Sequence, residues 1–141
     1  MIENFLIIVG LVLGLGAVTV IDIHGFLGRR SNYWTEATTR THKVTKPLIW
    51  IGMCLYAIGA ILKYSKDQNI FLIPVIAAST ILVLNGLFLS FTVSKHLIKR
   101  EQEGRASELL DPAIQFKIQV SFILSFTLWW SQVLIFVYSI S

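Results

Sequence analysis

The stretch 68–94, QNIFLIPVIAASTILVLNGLFLSFTVS, runs for 27 positions without a charged residue. About 20 apolar residues cross the hydrocarbon core of a bilayer as a helix, so this segment can span one with length to spare. Three more uncharged runs accompany it, at 4–21 (18 residues), 47–62 (16) and 118–141 (24), and together the four hold 85 of the 141 residues. Of the whole chain 55% is hydrophobic and 14% charged, against about 25% charged in globular domains. A soluble domain of this size cannot hide that much apolar surface. The expected fold class is therefore all-α: a polytopic membrane protein with four transmembrane helices in a bundle, forming a single domain over residues 1–141. The spans are expected at about 4–24, 46–64, 70–95 and 113–140, with loops at about 25–45 and 96–112. What remains is too short for a separate soluble catalytic domain, which favours a non-enzymatic role.

Lysine and arginine set the expected orientation. Residues 22–46 carry five, residues 95–117 carry five, residues 63–67 carry two, and neither tail carries any. By the positive-inside rule the two longer loops face the cytoplasm and both termini face outward (N-out/C-out), in the cytoplasmic (inner) membrane of a prokaryote or an equivalent bilayer. The net charge of +4 then belongs to these loops, and no nucleic-acid partner is expected. The opening Met-Ile-Glu-Asn lacks the base of a secretory signal, and Arg29-Arg30 follows the first apolar run instead of preceding it, so the first span is expected to be retained. The single cysteine, Cys54, lies within the second span, so it can form neither an intramolecular disulfide nor a cysteine metal cluster.

Local signals suggest where helices begin and end. Gly25 and Gly28 suit a left-handed stop to the first helix. Thr45-Lys46-Pro47 reads as the start of the second, with a threonine cap and proline in the first turn, and Asp111-Pro112 as the start of the fourth. The segment 31–46, SNYWTEATTRTHKVTK, reads as a loop in the headgroup layer, aromatic rings at the interface and bases toward anionic lipid. The link 63–69 reads as a tight hairpin, and 101–111 as a solvated turn with a short helix at 107–110.

Helices in lipid find one another through small and polar residues. Gly10 and Gly14 form a GxxxG pair on a stripe that continues to Asp22's neighbour Ile21 and to His24. On the third span Gly86 belongs to a stripe of small residues, and Asn85, Leu89, Thr92 and His96 form an adjacent one. The fourth offers Ser121, Ser125 and Gln132. All of these are expected to point inward, with Asn85 and Gln132 as polar interior residues. Of Trp129 and Trp130, one is expected to face protein, fill the gap beside the first-helix glycines and find an acceptor in Ser125 or Gln132.

The functional expectation is a non-enzymatic membrane component acting through helix contacts, as a homo-oligomer or with a membrane-protein partner, using the Gly10/Gly14 face and the basic loops. The alternative is an electron-transfer protein in which His24, with His42 or His96 at the cytoplasmic edge, holds haem or a metal ion, Asp22 or Glu36 supplying an oxygen ligand. This layout is similar to that of small four-helix cytochrome b-like proteins, a likeness of architecture alone. Imidazoles near helix C-termini are also stabilised there by the dipole. Asp22 is expected to pair with Arg29, Arg30 or a base from another loop. A small-molecule transporter is the third reading, disfavoured because no ionisable group is expected deep in a span.

Overall fold

The computed structural model describes residues 1–65 and 70–141. The expected hairpin at 63–69 lies largely outside the described residues. Five α-helices follow one another: α1 (Ile2–Leu27), α2 (Asn32–Tyr64), α3 (Leu72–Phe88), α4 (Ser94–Gln102) and α5 (Pro112–Tyr138). A π-helical turn, Leu89–Val93, joins α3 to α4 into one continuous rod. Four helical segments, counting that rod as one, are long and apolar enough to cross a membrane. No strand occurs among the described residues.

Helices α1 and α2 form a long antiparallel hairpin whose main chains touch. A Cβ at Gly52 would lie 2.5 Å from the Gly14 nitrogen and 2.8 Å from the Gly10 carbonyl oxygen, and one at Gly59 would lie 2.8 Å from the Glu3 carbonyl oxygen. The absence of side chains at Gly10, Gly14, Gly52 and Gly59 is what permits this approach. The Gly10/Gly14 face is thus an internal seam, closed by α2 and by Trp129 of α5, and offers nothing to an outside partner. Gly86 serves a similar purpose at the Trp50 ring, 3.4 Å from where its Cβ would stand.

Helix α2 differs most from the sequence reading. It starts at Asn32, capped by Ser31, and passes through Pro47 instead of beginning there. Proline removes one N–H from the ladder, and in an isolated helix that would mark an end. Here the segment before it packs along the last turns of α1: the Thr35 hydroxyl donates to the Gly28 carbonyl at 2.8 Å. Thr35, Thr38, Thr39 and Thr45 are all buried, and each hydroxyl donates to the carbonyl four residues back. Their polarity is consumed inside the helix, which leaves methyl groups for packing. Helix α1 ends at Leu27, and Gly28 caps it at φ −61°, a right-handed conformation in place of the expected left-handed one, because the chain turns directly into the Ser31 cap.

The π turn re-phases the third rod. Upstream, α3 buries Val75, Ala78, Leu82 and Asn85; downstream the buried positions are Val93, Ser94, Leu97 and Arg100. An uninterrupted helix would have carried that face to Thr92 and His96. The wider turn advances it by one residue, so Thr92 is exposed and His96 half-buried.

The link to α5 is held from within. Arg100, only 6% exposed, donates to the carbonyls of Arg105 (3.2 Å), Glu108 (2.6 Å) and Leu109 (3.3 Å). These carbonyls converge on the guanidinium, so the short helix expected at 107–110 does not form. Gly104, at φ +72°, ends α4 with the Arg105 N–H on the Arg100 carbonyl and its own N–H on that of Glu101, a left-handed stop of the Schellman type. Asp111 caps α5 as the sequence suggests, accepting from the Ala113 N–H at 2.9 Å. Cys54 lies on the exposed face of α2.

The seam predicts a sharp contrast between neighbouring glycines. A Cβ at Gly14 would run into the Trp129 ring, whereas one at Gly16 meets nothing within 4 Å. Overpacking costs about 1–3 kcal/mol. Gly14→Ile should therefore lower the melting temperature in detergent by many degrees and Gly16→Ile should leave it unchanged, as read by tryptophan fluorescence.

Candidate functional site

Two apolar clusters fill the bundle. One surrounds Ile7, Tyr56, Leu82 and Trp129, and a smaller one surrounds Val93, Leu97 and Ile118. At their junction is a cavity of about 50 Å³, into whose wall α1 places Asp22, α2 places His42 and Lys46, α3 places Asn85 and α5 places Trp129. Three buried polar atoms find no hydrogen-bond partner among the described residues: Asp22 Oδ2, His42 Nε2 and Trp129 Nε1. All three belong to residues that line this cavity. An unsatisfied buried group costs about 1–3 kcal/mol, and native structures contain few of them. Three around one space mark a site completed by something that hydrogen-bonds to them.

The neighbouring polar groups are paired, so the shortage is local. Asn85 Nδ2 donates to the Ser121 carbonyl at 3.0 Å, and its Oδ1 accepts from the Ser121 hydroxyl. Trp50 Nε1 donates to Ser90 Oγ in the π turn at 3.2 Å. Gln132, fully buried, accepts from the Tyr56 hydroxyl and donates to Ser79 Oγ at 3.1 Å. That last set takes up Gln132, one of the two acceptors expected for Trp129. The ring does fill the space beside Gly14, but its N–H is left facing the cavity wall without an acceptor. Trp130 is 45% exposed on the opposite face of α5.

A second cavity, of about 30 Å³, continues toward the end of the bundle that carries most of the basic residues. Gln115 and Gln119 of α5 line it together with Thr35 and Thr38 of α2, whose hydroxyls are held by backbone carbonyls. His42, Ile21, Leu89 and Phe122 line both spaces, so the imidazole stands in the wall between them. The π turn contributes Leu89 to both cavities and Ser90 to the first. Such turns recur where a helix must present groups to a site.

The electrostatic balance limits what can sit there. Asp22 and Lys46 bring opposite charges to the same walls, and charges act strongly where little water screens them. A metal cation meets Lys46 and an anion meets Asp22. A neutral molecule that both donates and accepts suits the three unpartnered atoms. At about 10–15 Å³ per water, 50 Å³ takes three or four waters, whereas pockets for organic ligands run to about 300–1,000 Å³.

The other expected site residues are dispersed. His24 Nδ1 is 3.2 Å from the Thr41 hydroxyl, and its ring lies 5.2 Å from that of Trp34. His96 stands on α4, turned outward by the π turn. No group of three His, Cys, Asp or Glu side chains suited to a metal ion occurs among the described residues. Asp22 does not form the expected ion pair with Arg29 or Arg30 among the described residues. Those bases lie seven and eight residues on, about 10–12 Å along the axis, and Arg29 lies instead over the Phe26 ring at 4.1 Å. With α2 starting at Asn32, His42 lies ten residues inside a helix, about 15 Å from its end, in place of the expected loop.

Lys46 and Tyr56 were not marked by the sequence reading. A signal for this face exists in the spacing Thr35, Thr38, His42, Thr45, Ile49, Gly52, Tyr56, Gly59, which alternates steps of three and four across Pro47. No protein-family model, curated protein or solved structure matches this chain.

The Tyr56–Gln132 bond joins α2 to α5 at full burial. A double-mutant cycle of Tyr56→Phe and Gln132→Leu should give a coupling of about 0.6–1.7 kcal/mol in detergent unfolding, the range of interhelical polar contacts in membranes.

Proposed function

We propose that this chain is a non-enzymatic, multi-pass membrane component whose working part is a hydrated carboxyl–imidazole cavity inside a four-helix bundle. The carrying observation is that Asp22, His42 and Trp129, each with one buried unpartnered polar atom, line the same space. Water supplies both donors and acceptors to such atoms, and an ionisable pair held in contact with internal water binds and releases protons. The residues fit this reading better than haem binding. The two cavities that His42 lines, about 50 and 30 Å³, are far below the size of a macrocycle; His24 is engaged with Thr41, and neither His24 nor His96 lines them.

The orientation belongs to the same proposal. Ten of twelve Lys and Arg lie in 22–46 and 95–117, which supports placing the α1–α2 turn and the α4–α5 link on the cytoplasmic side of an inner membrane. A partner or second copy has an open face available between α2 and α3. Helix α3 rests on α5 and barely meets α2, and the apolar cleft between them, about 540 Å³, is lined by Ala57, Ala60, Ser79 and Val83 among others. Contact through this cleft, in place of the closed Gly10/Gly14 seam, is the form in which the helix-contact reading survives.

Hydration is open to direct measurement. X-ray radiolysis of the protein in nanodiscs makes hydroxyl radicals from bound water and oxidises side chains next to it. Met53, 6% exposed, and Trp129, fully buried, line the cavity. Both should be oxidised in the native chain and spared in Asp22→Leu. Absence of oxidation at both residues in the native chain would overturn the hydrated-cavity reading.

A further inference from the structure

Asp22 belongs to a second space that the hydrated cavity does not account for. Between α1 and α5 runs an open groove of about 390 Å³, walled by Phe26, Phe122 and Phe126, with Asp22, Gln119 and Arg29 as its polar and charged members. We propose that this groove binds an amphiphilic organic cation taken from the membrane, with the Asp22 carboxylate as its counter-charge and the phenyl rings as its wall. The inference goes beyond the hydrated-cavity reading and shares only Asp22 with it.

Position and size suit such a ligand. Ile23, Phe26 and Ile123, which line the groove, are 54%, 59% and 69% exposed, so it opens on the surface that lipid covers. Asp22 stands five residues before the end of α1, about 7–8 Å along the axis. That is the depth at which amphiphiles meet the top of the hydrocarbon. The volume falls in the range of organic-ligand sites, about 300–1,000 Å³, unlike the two small cavities.

Charge selects the class. Asp22 is half-buried and has no hydrogen-bond or ion-pair partner among the described residues. Lys46, on the cavity side, does not line the groove. Arg29, the other charge facing it, lies seven residues on, about 10 Å along the chain axis, and its guanidinium is seated on the Phe26 ring at 4.1 Å. The inner wall therefore offers a carboxylate without a cation, and an anionic lipid would have to lay its chain against it. A small inorganic cation finds too few oxygens there to replace its water, one carboxylate and the Gln119 amide. An alkyl- or aryl-substituted cation sheds water easily and is drawn to aromatic rings as well as to the carboxylate. Phe122 and Phe126 supply the rings, and Phe122 is held in place against the bare main chain of Gly25.

Tetraphenylphosphonium serves as the probe. Equilibrium dialysis of the full chain in phosphatidylcholine nanodiscs, with empty discs correcting for partition into lipid, should show saturable binding. Asp22→Asn, which keeps the shape and removes the charge, should weaken it by about tenfold or more. Phe126→Leu should weaken it about threefold. Arg29→Gln should strengthen it by removing the like charge at the groove, and Phe5→Leu, near the opposite end of α1, should leave it unchanged. Triphenylphosphine oxide, neutral and of similar shape, should not distinguish the native chain from Asp22→Asn. Equal binding of the cation by the native chain and Asp22→Asn, or no saturable binding by the native chain, would overturn the inference. So would binding that phosphatidylglycerol in the discs abolishes in the native chain but not in Arg29→Gln, which would assign the groove to an anionic lipid. Oxidation at Met53 and Trp129 is independent of each of these outcomes, so the hydrated cavity stands or falls separately.

Discussion

Between α1 and α2 main chain meets main chain, and this contact is the constraint from which the rest of the bundle follows. Gly10 and Gly14 face Gly52, and Gly59 faces Glu3 and Ile7, with no side chain between the two axes. In a bilayer there is no hydrophobic gain from bringing apolar helices together, so close packing must supply the attraction. Four glycines on two facing stripes do so over most of the hairpin. Helices this close cannot also enclose a space between themselves. The unfilled volume is therefore displaced to where α3, the π turn and α5 close over the pair.

Trp129 fits that geometry. The largest side chain of the bundle occupies the groove left by the smallest, and its indole nitrogen has no partner, while the Gln132 amide is already held by Tyr56 and Ser79. The polar residues divide into two kinds. Asn85, Gln132, Trp50 and the buried threonines are satisfied and act as interhelical or local fasteners. Asp22, His42 and Trp129 are each left with an unpartnered atom, and they sit together. That separation distinguishes a structural polar network from a site.

Much of the architecture was legible in the chain because hydrocarbon thickness converts directly into uncharged run length: four runs gave four spanning segments. The small and polar stripes of α1 and α5 read correctly for the same kind of reason, since Ser121, Ser125, Trp129 and Gln132 keep an unbroken helical period. Two features were obscured by local signals that tertiary packing overrode. Pro47 looks like a helix start, and only the packing of 32–46 along α1 carries the helix through it. A π turn leaves no signature in Leu89–Val93, so the face containing His96 was placed one residue out of phase. The site itself was half visible. Asp22 and Asn85 stood out by type, whereas the position of His42 depended on recognising that α2 was already helical there.

The unequal attachment of the helices also bears on the order in which the bundle can be made. As the chain emerges, α1 and α2 already have each other as main-chain partners at Gly10, Gly52 and Gly59, although Gly14 and Gly25 still await Trp129 and Phe122 of α5. Helix α3 has no such neighbour. It barely meets α2, and its buried amide, Asn85, bonds to Ser121 on a helix not yet synthesised. During synthesis the hairpin is thus already paired while α3 waits in lipid with an unpaired amide, a costly arrangement in hydrocarbon. Insertion of α5 closes the bundle, and in that final step the cavity acquires its last wall.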